Sequence, residues 1–235
     1  MTAPPPGRAP PIALVLGVAY PLAAHVATVT GLAPWRTASI AVLLALVLIA
    51  PLRRGRAWAW LLLAGAVAAL WRLGDSSLAT LPLFAPPVLI AGGVAWLFGR
   101  SLLAGEVPLI ERFAQAMEGA DLDAERQAYA RRLTAVWAGF TATLAIVNLA
   151  LALLAEPHGL LVAAGLHPPV SVPLEAWSLF ANVLNYVLLG GLFAGEFAWR
   201  RHRFPGQAHG RFVDFVRGLG RLGPAMLRGR PGTSR

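Results

Sequence analysis

Six long apolar runs alternate with short polar breaks along this chain, at 12–30, 37–52, 58–73, 81–98, 133–154 and 174–199. A helix needs about 20 apolar residues to cross about 30 Å of hydrocarbon. Each run is near that length, and the second is the shortest. Runs one to four follow one another through a few residues each, which predicts tight helical hairpins. The pattern predicts an all-α, polytopic membrane bundle of about six transmembrane helices. The stretch before the first run is Pro-rich, and His25 interrupts the small residues that a cleavage site would need, so the run is read as a retained span rather than a signal peptide.

Two further stretches have an amphipathic pattern. Residues 99–132 hold five Arg and six acids, so their net charge is close to zero. Pro108 suits a first helical turn. Leu109, Ile110, Phe113 and Met117 recur on one helical face, with Glu111, Gln115 and Glu118 off it. This predicts a short interfacial helix. Gly119 is expected to end it, and Asp121 to cap a second helix that runs on into span five. In the tail, Phe212, Phe215, Val216 and Leu219 form an apolar face flanked by Arg211, Asp214, Arg217 and Arg221, which predicts a second interfacial helix. The expected organisation is a transmembrane domain over 1–200, including the loop 99–132, and a basic tail over 201–235.

Composition sharpens this picture. Of 235 residues, 57% are hydrophobic and 13% are charged, against about 25% charge in a soluble domain. That balance excludes an ordinary soluble enzyme, a disordered chain and a secreted disulfide scaffold. There is no Cys, so disulfides, thiol nucleophiles and thiolate metal sites are excluded. All 20 basic residues are Arg. With both termini placed in the cytoplasm, 18 of them fall on the inner side, and only Arg36 and Arg72 on the outer side. Such asymmetry sets orientation and fits an even number of spans. The eight Trp all fall near predicted span ends, where indole rings favour the headgroup level.

Polar residues inside spans are the candidate chemistry. In span six, Asn185 and Glu196 are eleven residues apart, about 20° on a helical wheel, with Asn182 about 60° from Asn185. These three form a predicted polar stripe. Gly191 and Gly195 on an adjoining face would permit close helix packing. In span five, Thr134, Thr141 and Asn148 recur every seven residues, with Trp137 alongside. The two stripes either bond each other or line a cavity open to the cytoplasm. Glu196 needs a cationic partner, and Arg200, Arg112 and Arg132 are the candidates. Arg100 and Arg112 bracket a turn that contains Glu106, and their guanidinium forks suit a phosphate or carboxylate. Tyr129, Arg131 and Arg132 enter span five at the same level. The reading that competes with such a site is that these Arg bind lipid headgroups and fix topology. His25, alone among apolar residues, reads as a packed neutral side chain rather than a proton relay. His158, His167, Glu156 and Glu175 match no metal spacing, so no metal is assigned. No catalytic triad, P-loop or dinucleotide fingerprint is present, and no cofactor is implied.

Three strings carry a resemblance: FGRSLLAGEVPLIERFA over 98–114, YARRLTAVW over 129–137 and NVLNYVLLGGLFAGEFAWRRHRFP over 182–205. Together they resemble a family of small bacterial inner-membrane proteins encoded with fatty-acid-like pathways for aryl polyene or xanthomonadin-type pigments. Some members carry the label ketosynthase, a chemistry that needs the Cys nucleophile this chain lacks. The likeness covers roughly 98–205; before it, only hydropathy matches. Members commonly read Arg-Thr-Leu at Arg100-Ser101-Leu102 and often Tyr at Phe197. The resemblance implies a membrane component of acyl-chain or polyene metabolism and no specific reaction. The expected function is an accessory or anchoring role with a cytoplasmic anion or acyl-group contact site. Its candidate residues are Arg100, Glu106, Arg112, Arg132, Asn182, Asn185, Glu196 and Arg200. The expected partners are membrane lipids and an acyl carrier protein or another acyl-lipid biosynthesis protein, without nucleic acid. The alternatives are a lipid-product carrier or flippase, and a membrane-embedded acyl-transfer enzyme.

Overall fold

Apolar side chains cannot pair with water, and buried backbone groups must pair with one another. In hydrocarbon, helices satisfy both demands. A computed structural model describes residues 11–73, 77–118 and 122–203, and 83% of these are helical. The elements are α1 (Pro11–Thr30), α2 (Ala33–Val47), α3 (Ile49–Arg53), α4 (Ala57–Leu73), α5 (Ser77–Arg100), α6 (Leu109–Glu118) and α7 (Ala124–Leu154). After α7 come β1 (Ala155–Glu156), α8 (Leu160–Ala163), β2 (Val172–Pro173), α9 (Leu174–Leu179), a π-turn (Phe180–Leu184) and α10 (Asn185–Arg203).

Three segments are long and apolar enough to cross a membrane: Thr80–Arg100, Ala124–Leu154 and Leu174–Arg203. Less than a third of each apolar window is buried inside the protein. Leu61, Leu89 and Ile146 are among the large apolar side chains left on the outside. A soluble protein would not leave so much apolar surface exposed, and this one is a membrane protein. Val15–Thr30, Ala33–Val47 and Ala57–Leu73 are shorter apolar helices.

Every apolar run of the sequence is helical, but two are interrupted. The second run breaks at Leu48 into α2 and α3. The sixth changes pitch through the π-turn. The predicted interfacial helix is α6, whose inward face includes the buried Leu109 and Phe113. Two hydroxyls satisfy its first N–H groups. The Leu109 amide donates to Ser101 Oγ at 3.0 Å, and the Ile110 amide to Thr134 Oγ1 at 3.4 Å. The cap of α7 is Asp123, whose side chain accepts from the Arg126 amide at 2.8 Å. Asp121, expected in that role, lies outside the described residues, as do Gly119 and the tail face Phe212, Phe215, Val216 and Leu219.

The densest packing lies at the end of the bundle that carries β1 and β2. These two-residue strands pair in parallel, Ala155 with Val172 and Glu156 with Pro173. Gly159 comes next, where a Cβ would lie 2.1 Å from the Ala155 carbonyl oxygen, so no other residue fits. Trp177 is 1% exposed and meets Phe84 of α5 edge to face at 4.4 Å. Tyr20 and Ala24 of α1, Ile40 of α2, Leu70 of α4 and Ala152 of α7 join the same cluster. The expectation that all eight Trp sit at wet span ends is therefore corrected. Trp177 and Trp137 point inward and are buried, while Trp35, Trp58, Trp60, Trp71, Trp96 and Trp199 are exposed. A span-end position fixes depth, but the helical face decides whether the indole meets lipid or core.

Trp177→Ala should lower the unfolding free energy in mixed micelles by roughly 3 kcal/mol. Trp71→Ala, on the outside, should change it little. Equal effects would contradict a core centred on Trp177.

Candidate functional site

A polar side chain in a span needs a partner, and the structure shows where each candidate finds one. The longest interface joins α5 to α7. By contrast, α10 touches α7 through side chains at three levels. Near the middle, Asn148 Nδ2 donates to Asn185 Oδ1 at 3.2 Å and to the Leu144 carbonyl at 2.7 Å. Further along, Trp137 packs on Phe193 at 4.3 Å between ring centroids. At the α6 end, Tyr129 donates its hydroxyl proton to Glu196 Oε1 at 3.2 Å.

The two predicted stripes therefore meet along one seam. Thr141 and Thr134 return their hydroxyl protons to the carbonyls one turn back. The three polar residues of span six do not act together. Asn182 donates to Ser178 Oγ at 3.1 Å, and that oxygen lies 3.1 Å from His25 Nδ1. Asn185 faces Asn148, and Glu196 lies about 16 Å further along the helix axis. His25, expected to stand alone, is thus tied to the fully buried Ser178. No sequence pattern marked Ser178, because one serine beside a tryptophan has no periodic partner. At Gly191 and Gly195 no neighbouring segment among the described residues comes within 4 Å of where a Cβ would lie, so their expected close packing is not used there.

Glu196 is the best-held charge at the α6 end. Its side chain is 11% exposed, and Arg200 Nε lies 3.2 Å from Oε1. No directed hydrogen bond runs along that line, so charge rather than hydrogen-bond geometry holds the pair. With Arg200 partly exposed, the pair contributes only about 0.3–0.5 kcal/mol. Of the candidate cations for Glu196, Arg200 is the one placed beside it. Arg132 is exposed. Glu125 at the start of α7 pairs with Arg203 at the end of α10.

The turn between α5 and α6 does not present Arg100 and Arg112 as an open fork. Arg112 pairs with Glu106. Arg100 stacks over Trp96, 4.7 Å from the ring centroid. Arg131 donates to the Leu102 carbonyl at 3.0 Å and fastens the turn to α7. Gly105 has φ +82°, a conformation other residues rarely adopt. The buried Ser101, which sequence reasoning passed over, donates to the Phe98 carbonyl at 2.7 Å and caps α6.

A cavity of about 100 Å³ opens beside the Asn148–Asn185 pair. α1, α5, α7, the π-turn and α10 all contribute to it, and the lining residues that carry polar groups are Tyr20, Thr141, Asn182, Asn185 and Tyr186. Both neighbouring elements depart from the regular α-helical hydrogen-bond ladder here. Pro86 and Pro87 of α5 lack the N–H that would pair with the Pro82 and Leu83 carbonyls. The π-turn presents Asn182 from the other side. Among the described residues, no three His, Cys, Asp or Glu side chains lie close enough to hold a metal ion.

A double-mutant cycle with Asn148→Ala and Asn185→Ala should give a coupling near ~0.6 kcal/mol, the usual scale for such bonds in membranes. A coupling of zero would mean that the two amides do not pair.

Compared with protein families, curated proteins and solved structures, the chain matches none.

Proposed function

We propose that this chain is a six-span protein of a bacterial inner membrane, with both termini cytoplasmic. It serves acyl-lipid or polyene synthesis as an accessory or anchoring component, and the α6 end of the bundle is its cytoplasmic contact site. The observation that carries this reading is Glu196, drawn almost out of solvent between Tyr129 and Arg200 where α7 and α10 meet. An incoming phosphate or carboxylate competes with Glu196 for the partly exposed Arg200. Arg112, Glu106, Arg100 and Arg132 supply further charge at the same end, and α6 lays a strongly amphipathic face beside them. Membrane lipids, and an acyl carrier protein or another protein of the pathway, are the proposed partners. The resemblance of 98–205 to the aryl polyene-associated family supports the acyl-chain assignment.

The Arg asymmetry supports the orientation. The α2–α3 pair together spans 33–53 despite its break, which supports its place as a span. A second reading, a carrier for a lipid-linked product, draws on the polar link His25–Ser178–Asn182 inside the bundle.

The chain has no Cys, so single-cysteine labelling has a clean background. Arg54→Cys and Glu106→Cys should react with an impermeant maleimide only from the cytoplasmic side, and Leu32→Cys and His167→Cys only from the opposite side. Labelling of positions 32 and 54 from one side would remove α2–α3 from the spans.

Glu196→Gln and Arg112→Ala should lower pathway output several-fold at unchanged membrane abundance. Loss of abundance instead would make these residues structural. A transport defect without any loss of synthesis would favour the carrier.

A further inference from the structure

Tyr20 occupies the middle of α1 and is 5% exposed. Its hydroxyl has no hydrogen-bond partner among the described residues. A buried hydroxyl with no partner costs stability, and most native structures avoid it. Tyr20 also lines the cavity beside Asn182 and Asn185. An uncommitted donor therefore belongs to a side chain that lines a space large enough for several heavy atoms.

The rest of the wall defines what belongs there. Its remaining side chains are aliphatic apart from Thr141 and Tyr186, and neither an Arg nor an acid contributes. An ionised carboxylate or phosphate would have no counter-charge, at a cost of several kcal/mol. A neutral carbonyl oxygen would accept from Tyr20 and leave its apolar chain against α5 and α10. Ile90 and Tyr186 line the cavity and are themselves exposed on the lipid-facing side, so entry is sideways from the hydrocarbon. The position favours a lipid without a charged headgroup. A phospholipid's ester carbonyls are held near the span ends by its headgroup, whereas Tyr20 and Thr141 sit well inside α1 and α7.

We propose that the cavity between α1, α5 and the π-turn binds a neutral carbonyl-bearing lipid, with the Tyr20 hydroxyl donating to its carbonyl oxygen. This site is separate from the charged α6 end and does not rest on the function proposed above.

The test uses the full chain in phospholipid nanodiscs with three photoactivatable probes: a diacylglycerol, a phosphatidylcholine and free palmitate, each with a diazirine in the acyl chain. The diacylglycerol should label peptides of α5 and α10 that line the cavity. Tyr20→Phe, which removes the donor at constant ring volume, should reduce that labelling about three- to tenfold, the range of one hydrogen bond. Ala91→Phe, which fills the cavity, should abolish it. Dioleoylglycerol should raise the melting temperature of the natural chain and not that of Tyr20→Phe. Without lipid, Tyr20→Phe should melt at the same temperature or higher, since no partner among the described residues is lost. Equal labelling of natural and Tyr20→Phe chains would overturn the proposal. Phosphatidylcholine labelling the cavity as strongly would show only annular lipid. Palmitate labelling it as strongly would overturn the neutral-ligand assignment.

Discussion

Trp177 and Phe84 sit where α1, α5, α7 and α9 come together, and the rest of the bundle depends on that contact. Helices in hydrocarbon gain little from burying apolar surface, because lipid is as apolar as they are. Close packing and paired polar groups hold them instead. Around Trp177 the packing is close: Ala24, Ala152, Ala155 and Ala181 are small enough for the backbones to approach. Beyond the π-turn, Gly191 and Gly195 face no close neighbour among the described residues. α10 therefore meets α7 through side chains alone, and the polar cavity lies at the transition between the two regimes.

Irregular backbone marks the same transition. A proline pair in α5 and a π-turn in the last span each leave carbonyls or amides off the regular ladder. In hydrocarbon that is tolerated where neighbours or a cavity take up the freed groups. The π-turn also rotates the side chains of α10 about the helix axis relative to those of α9. Asn185 thereby meets Asn148, while Asn182 is left to Ser178 and the cavity wall. The π-turn thus accompanies the assignment of two asparagines to different partners.

Much of this was legible in the sequence, because the strongest signals are local. Run length located the helices, and the Pro108–Phe113 pattern located α6. The seven-residue spacing of Thr134, Thr141 and Asn148 marked the face of α7 that turns inward. Contact between distant segments escaped. Ser101 and Ser178 act through partners eight and 153 residues away, and nothing in their immediate neighbourhood marks them. A helical wheel at constant pitch could not anticipate the π-turn, which leaves Asn182 bonded to Ser178, whereas Asn185 and Glu196, both in the regular α10, do share the face toward α7. Arg100 and Arg112 looked like an open anion fork because sequence spacing shows charges and not their partners. Glu106 and Trp96 already engage them.

The outcome is a separation of chemistry by position along the helices. Charged groups gather at the α6 end, where Glu196 pairs with Arg200 within α10 and Glu125 pairs with Arg203 across α7 and α10. Mid-bundle groups are uncharged amides and hydroxyls, with His25 held against Ser178 toward the opposite end. The cost of an ion rises steeply toward the centre of a bilayer, while a neutral hydrogen-bonding group costs far less once paired. The α6 end therefore offers guanidinium and carboxylate groups, whereas the mid-bundle cavity offers hydroxyl and amide. The seam between α7 and α10 connects these two chemically distinct regions.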